Sequence, residues 1–195
     1  MKTTLEYYKK NALEYVEKTK SADMSSIINR FKKYMKPNGY ILDLGCGSGR
    51  DSKYFIENGF TVEALDASES IASLAQIYLK QNVRVLDFRK LDYYKIFDGV
   101  WACASLLHLT PEEMESILDK IYISLKKEGC FYLSVKEGSF EGYINGRYFT
   151  YYTKESLSLM LQRSGFIIEE IWITEDVLSE RAEKWINVIA GVRKP

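Results

Sequence analysis

One stretch, Tyr40-Ile41-Leu42-Asp43-Leu44-Gly45-Cys46-Gly47-Ser48-Gly49, constrains the fold of this chain more than any other. A short apolar run takes an acid and then breaks into three glycines at alternate positions. The run reads as a parallel strand covered on both faces, where side chains need not alternate. The glycines read as a turn whose backbone amides approach a bound molecule closely. Arg50 to Asn58 follows with Tyr54 and Phe55 and closes on Gly59, as a helix with a C-terminal glycine does. Strand, Gly-rich turn and helix form the nucleotide-binding unit of a doubly wound sheet. The dinucleotide fingerprint needs a glycine where Arg50 stands, so a pyrophosphate is disfavoured here. Asp43 also suits a ligand with positive charge better than a diphosphate.

Size and charge narrow the classes further. The 195 residues suffice for one domain with a substantial core, and they are assigned to one, with residues 1–36 as an N-terminal helical cap on a core of residues 37–195. Lys plus Arg and Asp plus Glu balance at 27 each and are interspersed, so no nucleic acid is expected as partner. No apolar run approaches the length of a membrane span and no export signal opens the chain, so no membrane partner is expected. Three cysteines, Cys46, Cys103 and Cys130, lie far apart without CxxC spacing, which favours reduced thiols and a cytoplasmic location. Acids and the single histidine do not cluster at metal-ligand spacing, so no metal is assigned.

Along the chain, Leu5 to Thr19 reads as one amphipathic helix and Met24 to Met35 as a second, ended by Pro37-Asn38-Gly39. A second strand, Phe60 to Leu65, ends at Asp66, close to the expected spacing for a ribose-binding acid; the competing reading is a helix cap, for which Ser68 is the better residue. Further strands are read at residues 83–87, 96–103, 131–135, 166–173 and 185–192. Helices are read from the capping box at Thr110-Pro111-Glu112-Glu113 to Gly129 and over residues 153–163. The last two strands are joined by only about a dozen residues, which suggests antiparallel pairing. Residues 136–152 form a long aromatic segment, read either as a binding loop or as an edge strand packed on the cap. Within it Arg147, Tyr148 and Tyr152 are substrate-site candidates, with Arg181 a second anion contact; Arg147 pairing with a surface acid is the alternative.

Asp43 to Gly49 resembles motif I of class I S-adenosylmethionine-dependent methyltransferases, and Gly49-Arg50-Asp51-Ser52 is similar to their tellurite-resistance and small-molecule branch. The resemblance implies an α/β doubly wound seven-stranded sheet of order 3-2-1-4-5-7-6 with strand 7 antiparallel and helices on both faces. It implies S-adenosylmethionine as cofactor, S-adenosylhomocysteine as product, and a small-molecule O, N or S acceptor for a monomer or homodimer. Carried over residue by residue, Asp43, Gly45, Cys46, Gly47, Gly49, Arg50 and Cys103 border the methionine end, with Tyr15 above it. Asp66 holds the ribose, while Ala67, Ser68, Asp87 and Phe88 border the adenine; Asp87 as a plain surface acid is the alternative. His108 follows the fourth strand and faces the expected methyl group, as a base or as a loop-fixing residue. A nicotinamide-dependent oxidoreductase and a non-catalytic binding protein on the same fold are the rival functions; Arg50 opposes the first, and the intact turn with Asp66 opposes the second.

Overall fold

A computed structural model describes residues 2–177 and 183–192. Three short helices come first, α1 (Lys2–Lys10), α2 (Ala12–Thr19) and α3 (Ser25–Lys32). The single N-terminal helix expected from periodicity is therefore two: Asn11 interrupts it, and its side-chain amide donates to the Tyr7 carbonyl at 2.8 Å. The core then alternates β1 (Tyr40–Leu44), α4 (Arg50–Glu57), β2 (Thr61–Asp66), α5 (Glu69–Leu79), β3 (Val83–Val85), β4 (Phe97–Cys103), α6 (Pro111–Ser124) and β5 (Leu125–Lys136). A hairpin, β6 (Glu141–Ile144) and β7 (Arg147–Thr150), precedes α7 (Lys154–Arg163), β8 (Ile167–Glu175) and β9 (Lys184–Gly191).

The main sheet has seven strands in the order β3-β2-β1-β4-β5-β9-β8. Strands β1 to β5 are parallel, and β9 runs antiparallel to both β5 and β8. This is the 3-2-1-4-5-7-6 arrangement, with β9 as its seventh strand. Strand residues alternate between two apolar layers, as the period of two requires. Leu42, Leu44, Val100, Leu133 and Val188 meet α6 and α7 through Met114, Ile117, Ile121, Leu157 and Leu161. Ile41, Ala64, Trp101, Tyr132 and Ile189 meet α3, α4 and α5 through Ile28, Phe31, Phe55, Ala72 and Ala75. Asp43 shares its strand face with Ile41 and so points toward α4. The cap, α1 and α2, lies apart from both layers, anchored by Ala12 and Val16 on Ile71.

Two local expectations differ. The helix after Thr110 stops at Ser124, and the chain passes directly into β5, six residues before the expected strand start at Phe131. The third strand is three residues long, because Asp87 turns inward to cap a 3-10 turn at Phe88–Lys90. The segment before α7 is not an open loop: β6 and β7 pair across Glu141–Thr150, and Phe149 and Thr150 are buried.

Candidate active site

The Gly-rich turn is built by backbone geometry before any side chain matters. Gly45 and Cys46 both donate their amides to the Leu65 carbonyl at 2.9 Å, which fastens the turn to β2. Gly45 has φ of 81° and Gly47 of 55°, the left-handed region that glycine enters without penalty. A Cβ on Gly45 would lie 2.5 Å from that of Ser105, and one on Gly47 would lie 3.2 Å from the Tyr15 hydroxyl. Tyr15, on α2, thus roofs the turn directly.

Three acids meet beneath this roof. Asp43 is buried and accepts from Ser52 Oγ at 2.6 Å. Burial, with Asp51 nearby, pushes its carboxyl up to about 7. Asp66 is raised to about 6 by burial, against backbone donors that favour its anion. Its carboxylate accepts from the amides of Ser68 at 2.8 Å and Gly47 at 3.1 Å. Asp51, which sequence reasoning passed over, accepts from Arg50 Nε at 2.6 Å, from Arg50 Nη2 at 2.9 Å and from the indole of Trp101 at 2.9 Å. The same guanidinium donates to the Thr19 carbonyl at 3.3 Å and reaches Cys103 Sγ at 3.9 Å. Arg50 therefore ties α4 to the cap and to the end of β4.

A cavity of about 300 Å³ opens between the turn, the cap and the hairpin. Tyr15, Asp43, Gly45, Cys46, Gly47, Arg50 and Cys103 border one end of it; His108, Lys136, Arg147, Phe149 and Trp185 border the other. A second cavity of about 60 Å³ lies behind the turn, bordered by Asp66, Ala67, Ile71, Phe88 and Ser105. Tyr8, Tyr15, Gly45, Ala104 and His108 border both, so the two rings from the cap form the wall between them. Ser68 and Asp87 border neither. The Asp87 carboxylate faces Arg89, with Nη2 at 2.5 Å, and caps the following turn. Gly49 caps α4 with its backbone, outside both cavities.

Among the substrate candidates, Arg147 reaches the cavity. It is clamped by aromatic faces, 4.6 Å from the Tyr7 ring centroid and 5.1 Å from that of Phe149, and its Nε is buried without a partner. Tyr148 and Tyr152 border neither cavity. The Tyr148 hydroxyl turns outward to Glu141, and Tyr152 sinks into the layer beneath α6 and α7. Arg181 lies outside the described residues. Lys136, absent from the sequence-based candidates, is 8 % exposed, pairs with Glu183 and lies 4.6 Å from the Phe149 ring centroid. A lysine ending an apolar strand is its only sequence signal.

His108 is held at both nitrogens. Nδ1 lies 2.6 Å from the Tyr148 carbonyl and must carry the proton, since a carbonyl only accepts. In the neutral ring Nε2 then accepts from the Tyr8 hydroxyl, 2.8 Å away. Burial lowers its pKa to about 4; the Tyr148 carbonyl opposes this, and the charges of Arg147 and Lys136 add to it. The ring is neutral at pH 7, and its basic nitrogen reaches the cavity through Tyr8. Tyr8 looks like plain helix packing in the sequence, because its apolar spacing is that of a core residue.

The residues fit a sulfonium nucleoside. Gly47 puts no side chain between the turn and Tyr15, which closes over it, and the acids suit a cationic amino acid end. Asp66 sits where the turn meets the second cavity, beside the buried ring of Phe88. Among the described residues no group of His, Cys, Asp or Glu is arranged to hold a metal ion, and no helix is long and apolar enough to cross a membrane.

Comparison with known proteins agrees with this geometry. Residues 41–129 match the methyltransferase domain family. An uncharacterised methyltransferase of Synechocystis sp. is 32% identical over 105 residues, covering 51% of this chain and 48% of its own. The cypemycin N-terminal methyltransferase of Streptomyces sp. is 37% identical over 98 residues, covering 48% and 40%. The chain thus spans about half the length, or less, of the curated relatives it matches. In fold it is similar to the 1,6-didemethyltoxoflavin-N1-methyltransferase of Burkholderia thailandensis, solved with its acceptor and S-adenosylhomocysteine. The TM-score is 0.82 at 22% identity, over 98% of this chain and 88% of that one. Sheet order and Gly-rich turn are those of the class I methyltransferase fold, and residues 41–129 match the methyltransferase domain family.

Proposed function

We propose that the chain transfers a methyl group from S-adenosylmethionine to a small-molecule acceptor. The observation that carries this reading is the continuous cavity between the Gly-rich turn and the hairpin. It sets the residues of the methionine end against an acceptor end of different chemistry, while Asp66, Ala67 and Phe88 border the smaller cavity behind Tyr8 and Tyr15. When bound, the cofactor supplies a methyl group already activated on a sulfonium, displaced in line by a lone pair of the acceptor. The protein's task is alignment, exclusion of water and, for a protonated acceptor, removal of a proton.

Asp43, Gly45, Cys46, Gly47 and Arg50, with Tyr15 above and Cys103 beside them, hold the methionine end. Asp66 holds the ribose hydroxyls, for which its carboxylate trades a backbone amide. Ala67 and Phe88 border the base, and Asp87 joins them once Arg89 shares its charge. His108 and Arg147 serve the acceptor. A cavity of about 300 Å³ and balanced charge favour a compact acceptor over a polymer, and the similar Burkholderia structure, which holds 1,6-didemethyltoxoflavin, points the same way.

Isothermal titration with S-adenosylhomocysteine tests the assignment. The wild-type chain binds it, and Asp66→Ala weakens binding by at least about tenfold, the scale of a lost charge-assisted hydrogen-bond pair. Equal affinity in the variant removes Asp66 from the site. Binding of NADH in preference to S-adenosylhomocysteine transfers the chain to the oxidoreductases.

A further inference from the structure

Two groups at the acceptor end have complementary unmet capacity. Arg147 presents a buried Nε–H with no partner, on a guanidinium whose plane is fixed by Tyr7 and Phe149. Tyr8 gives its own proton to His108 Nε2, and its oxygen, which faces the Arg147 guanidinium, keeps a lone pair to accept another. Both residues border the large cavity, with Phe149 and Trp185 as aromatic walls. Of the other charges there, Lys136 pairs with Glu183, whose second carboxylate oxygen is buried without a partner, and Asp176 accepts from the Trp185 indole at 3.2 Å.

We propose that Arg147 Nε and the Tyr8 hydroxyl bracket the acceptor's nucleophile, and that the acceptor is therefore a flat conjugated ring carrying a weakly acidic O–H or N–H, bound as its anion. A neutral ether offers no proton for Tyr8 to accept, and the N–H of a neutral amine is too weakly acidic to leave as the anion forms. A permanent carboxylate offers no proton, and its negative charge faces the Tyr8 lone pairs. A phenol, enol or ring imide satisfies both groups, donating to Tyr8 while accepting from Arg147.

The proton step balances. The acceptor's proton moves to Tyr8 Oη as Tyr8's proton moves to His108 Nε2, and the electron pair stays on the acceptor oxygen or nitrogen. His108 becomes an imidazolium whose Nδ1–H remains on the Tyr148 carbonyl. The charge on Arg147 opposes that imidazolium in the free protein. An anion paired with Arg147 cancels the opposition, so ionised acceptor and protonated histidine stabilise each other. Tyr8 here is a group that touches the acceptor, and His108 is a positioning residue acting through it.

This inference rests on reading the cavity as a methyltransferase acceptor site, and the test separates the two. The protein saturated with S-adenosylhomocysteine is titrated with 4-nitrophenol, whose anion is coloured, while the ring nitrogens of the only histidine are followed by 15N NMR. The expected result is an ionisation of bound nitrophenol about one pH unit below its free value, or about tenfold in proton affinity, with an imidazolium signal from His108. Arg147→Met abolishes the colour shift while Arg147→Lys keeps part of it. Tyr8→Phe leaves His108 neutral when the phenol binds. S-adenosylhomocysteine affinity, unchanged in both Arg147 variants, certifies that the cofactor end is folded, and far-UV circular dichroism certifies the fold of Tyr8→Phe. Neutral binding of nitrophenol, tighter binding of 4-nitroanisole than of the phenol, or exclusion of both overturns the proposal. Loss of S-adenosylhomocysteine binding by the wild-type chain overturns the reading beneath it instead.

Discussion

Asp43 and His108 are both buried and titrate in opposite senses, which makes residue-scale stability depend on pH in a way that can be checked. Asp43 is raised to about 7, so between roughly pH 4 and 7 the folded chain holds a proton that the unfolded chain releases. Stability from this residue falls as pH rises through that window. His108 is lowered to about 4, so below about pH 6.5 the unfolded chain takes up a proton that the folded chain refuses. Stability from this residue falls as pH drops from 6.5 toward 4. Asp43→Asn should therefore gain on the order of 2 kcal/mol over wild type at pH 8 and nothing at pH 4, in urea unfolding of the cofactor-free chain. His108→Gln should flatten the acid limb alone. A variant of Asp43 that loses stability at pH 8 would show that the acid is paired more strongly than its Ser52 contact implies. Residues of this kind are half legible in sequence. The spacing from Gly45 marks Asp66, and the motif marks Asp43. Nothing local marks Tyr8, Asp51 or Lys136, whose roles come from partners as distant in sequence as His108, Trp101 and Glu183.

At the scale of elements, the cap is the weak member. Among the described residues its buried apolar anchor is Ala12, Val16 and Ile71, with Tyr8, Tyr15 and Leu74 partly buried around them, whereas each face of the sheet carries a far larger layer. Local opening costs less where less apolar surface is buried. The second cavity, about 60 Å³, is also far below the several hundred Å³ usual for a ligand pocket. Entry of a nucleoside therefore requires α1 and α2 to move away from Gly47 and Phe88. Amide exchange in α2 should be faster than in β1 or β4 without ligand, and saturation with S-adenosylhomocysteine should slow it by at least about tenfold, as a free energy of 1.4 kcal/mol would. Exchange in α2 as slow as in β4, with or without ligand, would mean that the cap is part of the rigid core and the nucleoside enters elsewhere. The cap helices themselves are readable from their apolar spacing. Their break at Asn11 is not, because a side-chain amide bonded to the Tyr7 carbonyl competes with a helical pattern that continues on both sides. The hairpin is ambiguous for a related reason. Its glycines and aromatics suit a loop as well as a two-stranded ribbon, and the pairing of Tyr143 with Tyr148 decides the matter only in three dimensions.

For the whole molecule, the parallel strands converge on one crevice, so cofactor binding and global stability are linked. The Gly-rich turn, to which the proposed function assigns the methionine end, is fastened to β2 through Leu65, and Arg50 fastens it to the cap and to β4. The strands were readable because each βα unit shows its own apolar run, and the short final connection suggests an antiparallel last pair; the sheet order came from the family resemblance. The closed form of the crevice was not readable, since it depends on where two tyrosines of the cap land. A ligand that binds the folded chain alone stabilises it by mass action, about 2.7 kcal/mol at a hundredfold excess over Kd. For a chain of this length that corresponds to a rise in Tm of roughly 5 to 10 °C. S-adenosylhomocysteine should produce this shift as one cooperative transition read alike by far-UV circular dichroism and tryptophan fluorescence, because Trp101 lies at the centre of the sheet, stacked 3.9 Å from Tyr132. Asp66→Ala should lose most of the shift at the same ligand concentration. If the ligand raised only the fluorescence transition and left the dichroism unchanged, the crevice would be stabilised locally, and the coupling through Leu65 and Arg50 would be too weak to unite cap and sheet.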